Sequence, residues 1–375
     1  MVNYSNKQEY VMPHERLLTI DLLKIGAVLI IFAFHCNMHL GVEFSFLTPF
    51  ISQGAVVMDL FFIVSGFTLY YKYQSDTLLD QKEIMTFYYK RLAAIYPLYL
   101  LILVIFFVIG TESIQQKIIT LPIELSLLQS WFSGLFSFSH NGGTWFLSCL
   151  AVCYALYPLA RTWIYQLNQR KRMALLIIIY LICASTPFIT SELALPNMYS
   201  SPLLRFLQFL SGGILFEMVK GKSGGNRGRD ICIVSGICFG LVYFVSVFAR
   251  NDYRVNEYIS YGFITYPLFC FMVVYALKTE SIFYRKYAFK KHVKKISSYA
   301  YAVFMAQFFV WNPTKQIVLR YPTVFKNYTS FKIFLLAGII CFVITLILSE
   351  GIEKPCFRFL TARTIAINDR KVKEE

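Results

Sequence analysis

Apolar residues along the chain gather in runs of about twenty, separated by short segments that hold most of the charged residues. A helix of about twenty apolar residues is long enough to cross the hydrocarbon core of a bilayer, which is roughly 30 Å thick. Flanking charges and Pro or Gly breaks divide the runs into predicted spans. The spans cover residues 17–40, 47–71, 93–110, 144–164, 173–190, 202–219, 231–249, 258–277, 296–312 and 331–349. The pattern predicts an all-α fold: a polytopic membrane helical bundle of about ten transmembrane helices.

One apolar segment does not fit this series. Residues 114–132 form a shorter run that holds Pro122 and Glu124 and ends in Trp131. The length is below that of a full span, and tryptophan is common at the membrane interface. We therefore predict an interfacial or re-entrant helix on the outer face.

The first span carries ionisable residues inside its apolar run. Lys24 and His35 are eleven positions apart, which on a helix places them within roughly 20° of the same face and roughly 16.5 Å apart along the axis. Asp21 precedes Lys24 by three residues and joins the same stripe. Ionisable groups inside a membrane are costly and usually mark a functional path. The alternative is a snorkelling lysine and a hydrogen-bonded core histidine.

Composition excludes a soluble protein. Of 375 residues, 57% are hydrophobic and only 15% are charged, whereas soluble domains have about 25% charged residues. The net charge of +15 raises the alternative of nucleic-acid binding, but the basic residues lie between the predicted spans. Topology and anionic membrane lipid explain them better, so no nucleic-acid partner is expected. The nine cysteines have no zinc-ligand spacing, so neither a metal site nor a disulfide framework is predicted.

The basic residues also predict an orientation. With the N-terminus inside, 27 of the 36 Lys and Arg residues fall on the inner side and eight on the outer side. Positive charge accumulates on the cytoplasmic side, so both termini are expected there. The predicted domains are a cytoplasmic segment (1–16), a transmembrane domain (17–360) and a cytoplasmic tail (361–375). The first span has the length of a retained anchor, and the predicted location is the inner or plasma membrane.

Polar groups in the second and third spans add candidates on the donor side. Asp59 is a second carboxylate at membrane depth, and the neighbouring Ser65–Gly66 pair permits close approach of another backbone or a narrow ligand. Plain helix packing at Gly66 explains the pair equally well. Lys90 and Arg91 lie at the predicted cytosolic mouth, where they are suited to phosphate groups. A topological charge pair beside an aromatic belt is the alternative for these two.

Another group of polar residues lies at the start of the fourth span and in the sixth. His140 and Asn141 precede Trp145, a combination suited to a carbohydrate, whose hydroxyls need hydrogen bonds and whose apolar face stacks on aromatics. A turn followed by an interfacial tryptophan is the alternative. Arg205 lies at the membrane edge of the sixth span.

Taken in order, these segments resemble membrane acyltransferase family 3, the integral-membrane O-acyltransferases of bacterial surface polysaccharides. The resemblance spans about residues 20–360 and rests on DLLK with His35, DLFFIVSGF, KRLAAIYPLY, GGTWFLS, LLRFLQFLSGGILF, ISSYAYAVF and IEKP. It implies a ten-helix bundle that takes an acyl group, usually acetyl, from cytosolic acyl-CoA. It also implies transfer of that group to a sugar hydroxyl of a surface or undecaprenyl-linked glycan on the outer side.

The resemblance assigns residues by position. Lys24 and His35 match the family's basic-residue-x10-His motif, and Arg91 matches the first basic residue of its Arg-x-x-Arg-like motif. Two positions depart from the family: Ala94 replaces the second arginine of that motif, and Gln307 stands at a frequent late histidine.

The resulting hypothesis makes His35 the general base toward the acceptor hydroxyl, since a neutral imidazole suits proton removal at neutral pH. Asp21 or Asp59 would orient its ring. The donor-binding residues would be Lys24, Arg91, Tyr96 and Ser65, and the acceptor-binding residues His140, Asn141, Trp145 and Arg205. Acetyl-CoA or another acyl-CoA acts as donor substrate, and no permanently bound cofactor is predicted. Direct transfer and a covalent acyl-histidine both remain open.

Two other classes of function fit the charges in the first two spans. A transporter or flippase of a lipid-linked sugar predicts substrate movement without CoA consumption, and the absence of a visible internal repeat counts against it. A non-catalytic membrane sensor on the same scaffold is favoured by Ala94 and Gln307 and opposed by the intact Lys24–His35 pair.

Overall fold

The computed structural model describes residues 16–74, 80–193, 198–220, 226–249, 262–283, 287–326 and 329–362. Within these ranges the chain is helical and contains no strand. The α-helices, numbered in chain order, are α1 Leu18–Leu40, α2 Thr48–Ser52, α3 Val57–Lys72, α4 Gln81–Ile109, α5 Ile114–Leu125, α6 Asn141–Gln166, α7 Gln169–Glu192, α8 Pro202–Val219, α9 Asn226–Ala249, α10 Gly262–Phe283, α11 Tyr287–Ser297, α12 Ala300–Ala306, α13 Trp311–Arg320, α14 Pro322–Phe325 and α15 Thr329–Leu348. A π-helical turn, Ser349–Glu353, continues α15.

Seven stretches of the described chain are helical, long and apolar enough to cross a membrane. They are Leu18–Leu40, Gly54–Lys72, Gln81–Ile109, Asn141–Gln166, Pro202–Val219, Phe263–Glu280 and Thr329–Ala362. The protein is therefore a multi-pass, all-helical membrane protein. The predicted count of about ten spans is not established, although α7 and α9 are helical over two of the other predicted spans.

The predicted span at 296–312 is not one helix. It divides into α12, a 3-10 turn at Gln307–Phe309, and α13, which begins at Trp311. Pro313, the third residue of α13, accounts for the break, because its ring excludes the carbonyl of Phe309 from a regular helix and it has no N–H to donate. The break places Gln307 and Trp311 beside the C-terminal end of α1.

Helices α3 and α8 cross at very close range. A Cβ added at Gly66 would lie 1.8 Å from the backbone oxygen of Phe209, and one added at Gly212 would lie 1.9 Å from that of Ile63. The two glycines therefore allow backbone to pack on backbone, as small residues do in membrane helix pairs. Of the two alternatives for Gly66, the structure supports helix packing.

Helix α5, within the segment 114–132, doubles back along α4. Near its start, the Lys117 ammonium donates to the carbonyls of Phe107 and Gly110 at 2.9 and 2.7 Å. At its end, the Leu125 carbonyl accepts from the Tyr96 hydroxyl at 2.9 Å. Since Tyr96 lies eleven residues before Phe107 in α4, α5 runs antiparallel to the C-terminal half of that helix.

The N-terminal end of α1 is fixed to α10 and α11. The backbone N–H groups of Leu18 and Thr19 donate to the Glu280 carboxylate at 2.8 and 2.9 Å. A carboxylate at a helix N-terminus satisfies free N–H groups and complements the helix dipole. The Ser297 hydroxyl donates to Asp21 at 2.8 Å. This anchoring holds α1, and with it the Lys24–His35 stripe, in a defined position against the bundle.

Candidate functional site

His35 lies half-buried near the C-terminal end of α1, where side chains from the broken segment meet it. Its ring is 5.8 Å from the ring of His39 and 6.1 Å from that of Trp311, measured between centroids. Its Nδ1 is hydrogen-bonded to Oε1 of Gln307, which is buried.

The bond to Gln307 defines the proton position on the imidazole. An amide oxygen only accepts hydrogen bonds, so Nδ1 of His35 is the donor. In the neutral ring the single proton is then on Nδ1, and Nε2 carries a free lone pair. The partner of Nδ1 in a catalytic histidine fixes its tautomer and orientation. Gln307 fixes both the tautomer and the orientation of the His35 ring, and it adds no negative charge.

Neither predicted carboxylate orients His35, which corrects the assignment of Asp21 and Asp59. Asp21 lies fourteen residues before His35 in the same helix, roughly 21 Å along its axis. Its carboxylate is instead 2.7 Å from Nε of Arg16 and accepts from Ser297. Asp59 forms a buried ion pair with Arg205. Both carboxylates are therefore paired elsewhere, and their predicted role toward the ring passes to Gln307.

Lys24 lies on α1 one turn after Asp21 and is half-buried. Asp21 is close enough to act on it electrostatically. Within the described residues its ammonium has no hydrogen-bond acceptor. A half-buried cation whose three donors are free is available to an anionic or carbonyl-bearing ligand.

Arg91 is enclosed by aromatic rings. Its guanidinium carbon lies 5.7 Å from the ring centroid of Tyr73 and 5.8 Å from those of Phe87 and Tyr154. Nη2 donates to the Tyr73 hydroxyl at 3.2 Å, while Nε is buried without a hydrogen-bond partner. The site therefore retains a free donor, although the arginine is half-buried and not at an open mouth.

The structure does not group the remaining predicted donor residues with Arg91. Tyr96 is five residues further along α4, about 140° around the helix, and its hydroxyl is engaged by Leu125 of α5. Ser65 is half-buried beside the Gly66 crossing. In the described structure, neither Tyr96 nor Ser65 is hydrogen-bonded to Arg91, so the three residues do not form one donor pocket.

The predicted acceptor residues at the start of α6 are buried. His140 and Asn141 are each 1% exposed, because α5 covers them with Glu124. Asn141 Nδ2 donates to Glu124 Oε1 at 3.0 Å, and His140 Nε2 lies 3.6 Å from the same oxygen. Burial lowers the pKa of His140 to about 4. Burial also raises the pKa of Glu124, while the Asn141 hydrogen bond opposes that rise. The histidine is therefore neutral at pH 7, and this pair holds α5 against α6.

Trp145 and Arg205 form another buried cluster. The Arg205 guanidinium lies 4.7 Å from the Tyr199 ring and 5.2 Å from the Trp145 ring. It pairs with Asp59, and Nε donates to the Tyr199 carbonyl at 2.8 Å. A buried arginine with these partners joins α3, α6 and α8 and is not placed to contact a sugar directly.

Sequence reasoning missed the roles of Gln307 and Trp311. In the sequence, Gln307 stands out only as a departure from the family, although a polar residue inside an apolar span is itself a signal of function. Trp311 was placed at the end of a span, and only the break after Ala306 brings it to His35. In the part of the chain that the structure describes, no group of three His, Cys, Asp or Glu side chains is arranged to hold a metal ion.

Comparison with known proteins identifies the class. The family model described as acyltransferase domain, acyltransferase family 3, matches residues 17–350, and the chain belongs to this family. It is thus an acyltransferase that transfers groups other than amino-acyl groups, and it requires an acyl donor and an acceptor.

Two curated relatives are distant. Acyltransferase MdmB of Streptomyces mycarofaciens is 26% identical over 263 residues, covering 62% of this chain and 64% of that protein. The chain therefore spans less than two thirds of the length of that relative. An uncharacterized protein of Haemophilus influenzae is 24% identical over 215 residues, covering 52% of this chain and 88% of that protein. No solved structure matches the chain significantly.

Proposed function

We propose that the protein is an integral-membrane O-acyltransferase with His35 as its general base. It moves an acyl group, with acetyl as the expected one, from cytosolic acyl-CoA to a sugar hydroxyl. The acceptor is a cell-surface polysaccharide or its lipid-linked precursor. The protein resides in the inner or plasma membrane with both termini in the cytoplasm, an orientation supported by the asymmetry of its basic residues.

The hydrogen bond between His35 Nδ1 and Gln307 is the observation that carries the proposal. It leaves the lone pair on Nε2, as a general base requires. The ring is also half-buried beside aromatic side chains, so water has limited access to it. A transporter needs no such arrangement at a single histidine.

The proposed reaction is a direct transfer. Nε2 of His35 takes the proton of the acceptor hydroxyl while the hydroxyl oxygen attacks the carbonyl carbon of the thioester. The C–O bond forms, the C–S bond breaks, and CoA leaves as a thiolate. The imidazolium then returns its proton to the thiolate, which restores neutral His35 and releases CoA-SH. Positioned proton transfer of this kind contributes typically about 10²–10⁴-fold to rate.

Lys24 and Arg91 support a donor path toward His35. Each cation retains a free donor in the described structure, Lys24 its ammonium and Arg91 its Nε. Lys24 and His35 lie roughly 16.5 Å apart along α1, a length comparable with that of an extended pantetheine arm. In the proposed orientation Lys24 is nearer the cytosol, from which the acyl-CoA enters.

The test uses the full chain in proteoliposomes with labelled acetyl-CoA and a surface-glycan extract as acceptor. Wild-type protein is expected to release CoA thiol and to label the glycan. Lys24→Gln should raise the KM for acetyl-CoA, whereas Lys82→Gln, an exposed lysine at the start of α4, serves as the matched control. Glycan movement across the membrane without CoA release would overturn the proposal in favour of a flippase. A labelled protein formed without acceptor would replace direct transfer by an acyl-enzyme route.

A further inference from the structure

Trp311 links the proposed base to the protein surface. Its ring stacks on that of His39, with centroids 5.0 Å apart and planes at 23°, and meets His35 edge-on at 6.1 Å. His39 is exposed and Trp311 is half-buried. The indole also stacks on Phe32, with centroids 6.1 Å apart and planes at 28°. Phe32 and His39 are seven residues apart on the same side of α1, so the indole lies between them and supports the exposed ring of His39.

A buried donor without a partner lies beside the same histidine. Gln307 is 4% exposed, and its Nε2 has no hydrogen-bond partner, although its Oε1 binds His35. A buried unsatisfied donor costs about 1–3 kcal/mol, so buried polar groups usually have partners. This unpaired N–H next to His35 is suited to an oxygen atom of a bound ligand.

The charge of the adjacent segment departs from the pattern of the rest of the chain. Residues 311–332 hold four basic residues and no acidic one, on the side of the membrane where the other predicted loops are poor in basic residues. Lys332 donates to the Val324 carbonyl, and Arg320 lies in the last turn of α13, where it complements the helix dipole. Across the described chain, Lys315 neither donates to a backbone carbonyl nor lies at the end of a helix.

Lys315 is exposed in the middle of α13, one turn after Trp311. It is close enough to His39 to act on it electrostatically. Within the described residues it has no hydrogen-bond acceptor. A free cation therefore lies near the exposed ring of His39.

We propose that Trp311, His39 and Lys315 form the acceptor subsite and that it takes an anionic glycan, a sugar that carries a carboxylate or phosphate. This inference rests on the proposed function. The sugar's apolar face packs on the exposed ring of His39, which Trp311 supports from behind, its reacting hydroxyl meets Nε2 of His35, and its anionic group pairs with Lys315. The residues first predicted to bind the acceptor, among them His140 and Arg205, are buried and paired, which leaves this surface to do so.

The binding test uses the full chain in nanodiscs without acyl-CoA, so that it does not depend on catalysis. Two probes are compared by calorimetry: tetragalacturonate, which is anionic, and maltotetraose, which is neutral. Tetragalacturonate should bind more tightly than maltotetraose, and its advantage should shrink as salt is raised. Lys315→Gln should weaken tetragalacturonate binding about two- to fivefold and leave maltotetraose binding unchanged.

Control variants separate this site from general surface charge. Arg320→Gln removes an exposed charge from the same helix and should leave both affinities unchanged, while Lys315→Arg should retain binding. Trp311→Leu should weaken both probes about three- to tenfold. Equal affinity for the two probes, or equal effects of Lys315→Gln and Arg320→Gln, would overturn the subsite. Normal probe binding together with no transfer from acetyl-CoA would reject the proposed function alone.

Discussion

The α3–α8 crossing gives a prediction whose magnitude follows from the coordinates. In Gly66→Ala, the new methyl group would lie 1.8 Å from the Phe209 backbone oxygen, and in Gly212→Ala it would lie 1.9 Å from that of Ile63. Carbon atoms of this kind are essentially never closer than 3.0 Å to such a neighbour, so the helices must separate by about 1.2 Å. The obstructing atoms belong to the backbone and have no alternative rotamer.

Overpacking of this type typically costs about 1–3 kcal/mol, and here it also strains the contacts around the Asp59–Arg205 pair. The assay is heat denaturation of the purified protein in detergent, followed by size-exclusion chromatography of the surviving fraction. Both alanine variants should lose stability. The matched controls are Gly26→Ala and Gly338→Ala, since a Cβ at either position meets nothing within 4 Å.

The control substitutions are expected to change thermal stability in the opposite direction. Alanine is favoured over glycine in a helix interior by about 0.5–1 kcal/mol, so both controls should be neutral or slightly more stable than wild type. If Gly66→Ala and Gly212→Ala were as stable as the controls, α3 and α8 would not pack at backbone distance. The close crossing would then be wrong.

Three further substitutions test other contacts. Gln307→Ala should lower kcat for acyl transfer and shift the pH–rate profile, because His35 loses the acceptor that fixes its tautomer. Gln307→Glu should restore part of the rate. An unchanged pH–rate profile in Gln307→Ala would contradict the positioning role of Gln307. In wild type, thermal stability should fall as pH drops from about 6.5 to about 4. The reason is that the pKa of His140 is lowered to about 4 in the folded protein, so only the unfolded state readily protonates it in this range. The raised pKa of Glu124 opposes this trend, and His140→Gln should reduce the loss of thermal stability. Arg205→Met should destabilise the protein by about 3–5 kcal/mol, because it leaves the Asp59 carboxylate buried and unpaired, and thermal stability equal to wild type would show that the pair is not maintained.

Sequence periodicity predicted much of the helical framework because helices and membrane spans are properties of contiguous segments. The shared stripe of Lys24 and His35 follows from residue spacing, and the short helix before Trp131 follows from the length of its apolar run. The family resemblance, not the periodicity, predicted the acyltransferase class, and the family match confirms it.

The side-chain partners were not predictable in the same way. Gln307 lies 272 positions from His35, and Arg205 lies 146 positions from Asp59. Asp21, in the same span, and Asp59, in the next, are assigned to His35 by analogy with the orienting carboxylate of a catalytic triad, whereas the fold pairs them with Arg16 and Arg205. The burial of His140 depends on α5 doubling back to place Glu124 against it, which run length alone does not specify.

The central claim is that His35 removes the proton of a sugar hydroxyl during acyl transfer. The most direct measurement is mass spectrometry of surface glycans from matched cells that produce wild-type protein, His35→Ala or the control Met38→Ala, an exposed neighbour on α1. With equal protein abundance in the membrane, glycans from wild-type and Met38→Ala cells should gain the mass of an acyl group on their sugars. Glycans from His35→Ala cells should lack that gain, and acylation at the wild-type level in those cells would contradict the assigned role.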